Sequence, residues 1–225
     1  MLNLVMKDIL IQKKNLISIL IVALIFVPSF GNSMGIQQAA IMGCIICTFQ
    51  FISHSCGYDD KNKSELVLNS LPIRRHQIVT AKYLSSLIFS VATFFLSIGL
   101  LYIFKNMGFI NDDFYFQKEY IITVFISISI MISIFFPVYF KLGYLKSRLI
   151  IFIVFFGIGT IPTAIIALLK RIYTQQQFEE IAIKLISFLN RTPDFILASV
   201  SLLVIALFIY ISLCISISFY KKRDF

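Results

Sequence analysis

The residues of this chain that could carry out chemistry are few, and their spacing supports none of the common catalytic sites. Cys44 and Cys47 have the two-residue separation of a redox pair, but they lie in an apolar stretch where cysteine is a common, inert small residue. His54 and His76 are the 2 histidines of the chain, too few and too far apart for a metal site. We therefore favour a packing role for the two cysteines and expect no metal site at the histidines.

Two adjacent carboxylates, Glu179 and Glu180, are the remaining candidates for metal or acid–base chemistry. They resemble the paired glutamates of CAAX-processing membrane proteases, but Lys184 stands where that pattern has arginine, and its intramembrane histidines are missing. The sequence also lacks the Gly-x-x-x-x-Gly-Lys-Ser/Thr loop that holds nucleotide phosphates. We expect that the chain is not an enzyme and holds no cofactor or metal itself.

Six long apolar stretches, free of Asp, Glu, Lys and Arg, dominate the sequence. A bilayer-crossing helix needs about 20 mostly apolar residues, and the chain is 59% hydrophobic with a mean hydropathy of +0.90. We predict an all-α integral membrane protein, with residues 1–225 forming a single transmembrane domain whose spans hold no carboxylate for ion coupling. The six predicted spans are 16–30, 36–55, 83–104, 120–140, 149–169 and 195–219.

The distribution of basic residues between the loops predicts the orientation. With the first residue inside, fourteen of the 20 Lys and Arg residues fall in inner segments and six in outer ones. We expect a multi-pass protein of the cell membrane with both termini cytoplasmic. The net charge of +9 then reflects topology and contact with anionic lipid, and we expect no nucleic-acid partner.

Three further segments have predicted roles. Residues 1–15 carry Leu2, Val5, Met6 and Ile9 at helical spacing, which favours an amphipathic helix in the inner membrane interface over simple flanking charge. The segment 170–194 repeats apolar residues at helical spacing and predicts an outer helical segment. Glycines and a proline in the fifth span mark a possible hinge, at Gly157, Gly159 and Pro162.

The longest inner loop, residues 57–82, carries the most information. Pro72 favours the first turn of a helix, so we predict a short helix that follows it and presents basic and apolar side chains to the cytoplasm. Such a helix is a docking surface for a partner. The alternative is a positive loop that only anchors the topology, but anchoring needs a few charges rather than a whole ordered segment.

Residues 71–84, with the sequence LPIRRHQIVTAKYL, resemble the segment between the second and third spans of ABC-2 type ABC transporter permeases. The last residues, YKKRDF, are also similar to the ending of that family. The resemblance implies a permease that pairs with a second copy or a paralogue and binds two cytoplasmic ATPase subunits, which hold the ATP and magnesium. The coupling helix would then comprise Ser70, Leu71, Pro72, Ile73, Arg74, Arg75, His76 and Gln77.

Small Phe- and Ile-rich members of that family include bacitracin- and lantibiotic-type permeases and the exporter of phenol-soluble modulin peptides. With 24 Phe and uncharged spans, this sequence suits amphipathic or hydrophobic cargo. The resemblance implies a bacterial exporter, with a peptide toxin or antimicrobial peptide as the favoured cargo and a lipid-like molecule second. The alternative is a non-transporting membrane sensor or assembly protein.

Overall fold

The computed structural model describes residues 2–70, 72–108, 118–153 and 194–223, and these residues are helical apart from short turns and links. A helical stretch at 144–153 follows Gly143, whose φ of +82° breaks the preceding helix. The described residues contain no strand. The helices, in chain order, are α1 (Leu2–Ile11), α2 (Leu16–Met34), α3 (Ile36–Lys61), α4 (Ser64–Ser70), α5 (Arg75–Asn106), α6 (Lys118–Leu142) and α7 (Asp194–Lys221).

Helices α3, α5, α6 and α7 are long and apolar enough to cross a membrane, and these candidate spans coincide with four of the predicted ones. Helices α1 and α2 meet at 65° across a short 3-10 turn, and this bent pair could form a fifth span. The predicted fifth span, 149–169, lies largely outside the described residues. The hinge at Gly157, Gly159 and Pro162 and almost all of the outer segment 170–194 lie outside them too.

Burial in these helices falls as hydropathy rises. In the most apolar window of α3 the mean hydropathy is 1.5 and 67% of the residues are buried, whereas in α7 the values are 2.8 and 11%. Helices α5 and α6 lie in between, in the same order. A soluble protein buries its most apolar helix. The reverse order fits helices whose apolar faces meet lipid while small and polar side chains pack together.

Helix α3 lies at the centre of the bundle and packs against α2, α5 and α6, while α7 packs along α6. The small residues Ala39, Ala40 and Gly43 are buried on α3, which lets the neighbouring backbones approach closely. Aromatic rings join the remaining helices: Tyr83 of α5 lies 4.6 Å from Phe136 of α6, between ring centroids.

The turn between α2 and α3 is shorter than the predicted five residues. Helix α2 continues to Met34, as a membrane-crossing first span requires, and Gly35 alone links it to α3. The φ of Gly35 is +87°, a region that side chains with a Cβ rarely adopt. Gly35 therefore allows the tight hairpin that aligns α2 with α3.

The structure corrects the predicted helix after Pro72. The short helix α4 ends at Ser70, before the proline, and α5 begins only at Arg75. Pro72 thus lies in a non-helical link, where its missing N–H disrupts no helical hydrogen bond. We call residues 62–74, which join α3 to α5 through α4, the α3–α5 elbow.

Candidate functional site

The α3–α5 elbow presents one face outward and holds the other against the bundle. Val67 is 62% exposed, and Ser70 and Pro72 are exposed as well. Leu68 and Ile73 are partly buried and pack against the apolar core. The elbow is therefore packed against the bundle on one side and exposed on the other, as a surface that docks a partner requires.

Helix α5 starts with two arginines that have different environments. Arg74 is exposed at the helix N-cap, where its backbone N–H donates to Gln77 Oε1 at 3.3 Å and its carbonyl accepts from the Gln77 N–H at 2.8 Å. Arg75 turns back into the molecule. Its Nη1 donates to the carbonyls of Lys221 at 2.9 Å, Arg223 at 3.3 Å and Tyr220 at 3.4 Å.

These carbonyls belong to the end of α7, where helical carbonyls lack intrahelical partners and the helix dipole is negative. The Arg75 guanidinium therefore fastens the end of α7 to the start of α5. Helix α6 joins the same contact, because the Phe140 ring lies 5.2 Å from Tyr220 and Lys141 Nζ lies 5.0 Å from the Phe219 ring centroid.

A cluster of four charges lies beside the elbow, and we call Lys7, Asp8, Asp59 and Lys82 the charge cluster. Lys82 Nζ lies 2.9 Å from Asp8 Oδ1 and 2.5 Å from Asp59 Oδ2, and Lys7 Nζ lies 2.7 Å from Asp59 Oδ1. Asp8, Asp59 and Lys82 are only 1%, 3% and 6% exposed. The cluster joins α1, α3 and α5 and contains two positive and two negative charges.

The charge cluster places buried carboxylates just beyond the predicted spans, where the sequence analysis had expected charges exposed on the inner side. The apolar stretches end at residue 55 and resume at 83, but α3 continues to Lys61 and α5 begins at Arg75, so charges assigned to a loop lie on packed helices. Two hydroxyls complete the cluster: Lys82 Nζ donates to Ser55 Oγ at 2.8 Å, and Ser85 Oγ donates to Asp8 Oδ2 at 3.0 Å.

Helix α1 is amphipathic as predicted, but it packs through its polar side. Leu2, Met6 and Ile9 are exposed, whereas Asp8 and Gln12 are buried, together with Val5. Gln12, in the turn after α1, donates from Nε2 to the Phe51 carbonyl at 2.7 Å. The exposed apolar side suits the membrane interface, and the polar side binds the bundle.

All segments that the charge count assigned to the inside meet at one end of the bundle. The charge cluster brings 1–15 to 57–82, and Arg75 brings the end of α7 to the same place. The start of the helical stretch 144–153, just after α6, joins them, since the Tyr144 hydroxyl lies 3.0 Å from Ser53 Oγ. The predicted alternation of the loops thus agrees with the packing of the described helices.

Hydroxyl groups pair with each other inside the bundle. The Thr48 and Thr93 hydroxyls lie 2.6 Å apart between α3 and α5, and the Tyr83 hydroxyl lies 2.6 Å and 2.8 Å from those of Ser212 and Ser216 on α7. Such pairs satisfy polar groups that lipid cannot.

The sequence of α5 contains a pattern that could have predicted these buried polar contacts. Its buried polar residues recur every three or four positions, a stripe that faces α3 and α1. Sequence reasoning treated Lys82 as loop charge and so missed the continuation of this stripe into the cluster. The buried polar members on α5 are Lys82, Ser85, Ser86, Ser90, Thr93 and Ser97.

The other predicted site residues are dispersed. Cys44 and Cys47 are buried, with Cys44 Sγ 3.7 Å from Thr93 Oγ1, which fits the packing role. A cavity of about 10 Å³, the size of one water, lies beside these cysteines and is too small to pass a cargo. His76 and Gln77 are partly buried in the first turn of α5, and Leu71 lies outside the described residues.

Comparison with known proteins agrees with this architecture. No curated protein and no solved structure matches the chain significantly. The family described as "ABC-2 family transporter protein" matches residues 3–221, nearly the whole chain. This match, together with the multiple apolar helices, shows that the chain belongs to the ABC-2 transporter family and is a membrane protein of several spans.

Proposed function

We propose that this protein is the transmembrane subunit of an ATP-driven exporter and that the α3–α5 elbow is its contact with a cytoplasmic ATPase. Permeases of this family generally work with such an ATPase. The observation that carries the proposal is the elbow itself, which contains a short helix with an exposed edge, continues from α3 into α5 and packs against the core through Leu68 and Ile73. ATP and magnesium bind in the partner.

Four exposed residues of α4 and of the link that follows it are the proposed contacts. Val67, Ser70, Pro72 and Arg74 form its outward edge, and Arg74 adds a positive charge that suits an acidic or helix-end site on the partner. Arg75, which the sequence grouped with Arg74, instead holds the end of α7. The proposed coupling segment therefore has a contact side and an anchoring side.

Affinity purification from native membranes tests this proposal. Wild-type protein should bring down an ATP-binding protein and ATP hydrolysis, and Arg74→Glu should lose most of both. Lys146→Glu is the matched control, because Lys146 is an exposed basic residue outside the elbow. Equal recovery of the ATPase with Arg74→Glu and with wild type would contradict the elbow assignment.

The membrane arrangement supports an inside elbow and a paired permease. The basic segments gathered at the elbow end favour the cytoplasmic side of the cell membrane. There the exposed apolar side of α1 would lie in the lipid interface. Helix α7 exposes apolar side chains along most of its length, and this surface would face lipid or a second permease copy.

The proposed cargo is amphipathic or hydrophobic, with peptide toxins or antimicrobial peptides first and lipid-like molecules second. Within 36–55, 83–104, 120–140 and 195–219 the described spans contain no Asp, Glu, Lys or Arg that could pair with a charged solute. A charge at the membrane midplane costs about 2.5–3.5 kcal/mol or more. An amphipathic peptide avoids this cost by leaving its charges at the interface.

ATP hydrolysis by the reconstituted complex separates the cargo classes. An amphipathic peptide should stimulate hydrolysis, and a sugar phosphate or polyanion of equal concentration should not. If only polyanions stimulate, the cargo proposal is wrong. If an ATPase binds but no cargo of any class stimulates it, the alternative of a sensor or assembly protein is favoured.

A further inference from the structure

The charge cluster bridges the two helices that carry the elbow. Asp59 lies two residues before α3 ends at Lys61, and Lys82 lies about two turns into α5. Their side chains meet at 2.5 Å. The Asp59–Lys82 ion pair therefore joins α3 directly to α5, in addition to the backbone of the elbow that connects them.

Helix α1 is bound to both of these helices through charges of opposite sign. Its Asp8 accepts from Lys82 on α5, and its Lys7 donates to Asp59 on α3. The two residues are adjacent in sequence, so α1 cannot shift along one helix without disturbing its contact with the other. The Gln12 bond to the Phe51 carbonyl adds a second attachment to α3.

Burial makes these contacts mutually dependent. A single buried charge is strongly destabilised in a low-dielectric interior, whereas a neutral set of paired charges is tolerated. If α1 moved away from α5, Lys82 would lose one of its two carboxylate partners and Asp8 would lose the Lys82 ammonium group. The state in which all three helices stay together is therefore strongly favoured over one in which they slide.

We propose that the charge cluster is a rigid joint that makes α1, α3 and α5 move as one body when the elbow is displaced. The proposal rests on the proposed function for the source of that displacement, the ATPase. Asp8 and Lys82 are positioning residues in it, since they act through the helices that they join. Helix α1, at the membrane interface, then moves together with the core spans.

Distance measurements between spin labels test the joint in the isolated protein. Labels at Asn3→Cys on α1 and Val67→Cys on α4 are both at exposed positions, in a Cys214→Ser background that removes the exposed native thiol. In bilayer nanodiscs the wild-type cluster should give one narrow distance distribution. Asp8→Asn should lose that narrow peak, and Lys82→Arg, which keeps the charge, should retain it.

Two further variants control for folding and for general loss of charge. Asp60→Asn removes an exposed carboxylate next to Asp59 and should leave the distribution unchanged. Lys7→Met removes the half-buried contact of α1 with α3, together with the 3.5 Å contact between Lys7 and Asp8 on α1 itself. It keeps Lys82 between its two carboxylates, so it should fold and broaden the distribution. A narrow peak in both Asp8→Asn and Lys7→Met would overturn the joint.

A second arm uses the complex with its ATPase, and its second label is moved from Val67, a proposed ATPase contact, to exposed Lys61→Cys at the end of α3. A non-hydrolysable ATP analogue should shift both labels in wild type, and in Asp8→Asn it should shift the α3 label without the α1 label. Movement of the α1 label that persists in Asp8→Asn would overturn the joint. If no ATPase is found, the proposed function is refuted but the joint is not. The spin-label distances in the isolated protein test the joint without an ATPase.

Discussion

Arg75 and Lys221 lie 146 residues apart in the chain, and the Arg75 guanidinium donates to the Lys221 carbonyl at 2.9 Å. The contact joins the first residue of α5 to the last residue of α7. It satisfies carbonyls that the helix end leaves without partners and places a positive charge at the negative end of the helix dipole. The two adjacent arginines should therefore differ sharply under mutation.

We predict that Arg75→Ala lowers the free energy of unfolding by about 1.5–3 kcal/mol, the range for a hydrogen bond to a charged group. Arg74→Ala should change it little, since the Arg74 side chain is exposed at the helix start. Thermal unfolding followed by a thiol-reactive dye measures both, because three of the four cysteines are buried until the bundle opens. Equal stability of the two variants would contradict the role of Arg75.

Lys82→Met should be the more damaging change, since it removes the cation shared by Asp8 and Asp59. Loss of one partner from a buried ion pair costs about 3–5 kcal/mol. Lys61→Met, at the exposed end of α3, is the matched control and should be nearly neutral. The same thiol-reactive unfolding assay compares them.

Adding Asp8→Asn to Lys82→Met tests whether the cluster acts as a unit. The double variant should lose less stability than the sum of the single losses, because the neutral amide no longer needs the missing cation. Additive losses would show that Asp8 and Lys82 contribute independently.

Gly57 permits a close approach between α3 and Tyr144. A Cβ at residue 57 would lie 3.0 Å from the Tyr144 ring, closer than ordinary van der Waals contact. Gly57→Leu should therefore displace Tyr144, break its contact with Ser53 and cost about 1–3 kcal/mol, as overpacking of a core does. Tyr144→Ala in the Gly57→Leu background should recover part of the lost stability. If it recovers none, the clash with Tyr144 is not the cause of the loss.

The helical spans could be predicted because a charge-free apolar run of this length has few other stable forms. The helix ends could not, since α3 and α5 continue past the apolar runs into charged sequence that only packing makes helical and buried. Asp59 and Lys82 were therefore read as loop charge, and Asp8 was read as part of an interfacial helix. Pro72 indicated a helix boundary, but local sequence does not decide which side of a proline is helical when both sides have suitable residues.

The sequence singled out residues 57–82 as a connecting segment, but it did not predict the different environments of the residues within it. Arg74 and Arg75 are identical in type and adjacent in sequence, and only the position of α7 separates an exposed arginine from an anchoring one. That position depends on a contact across 146 residues, which no local pattern encodes.

The orientation of the bundle gives the last prediction. In a Cys214→Ser background, a cysteine at exposed Met107, at the end of α5 opposite the elbow, should react with a membrane-impermeant thiol reagent added to intact cells. Lys61→Cys, at the elbow end, should react only after the membrane is opened. The reason is the excess of Lys and Arg in segments that the structure gathers at that end. Labelling of Lys61→Cys in intact cells, with Met107→Cys protected, would reverse the topology and exclude the elbow from the cytoplasm.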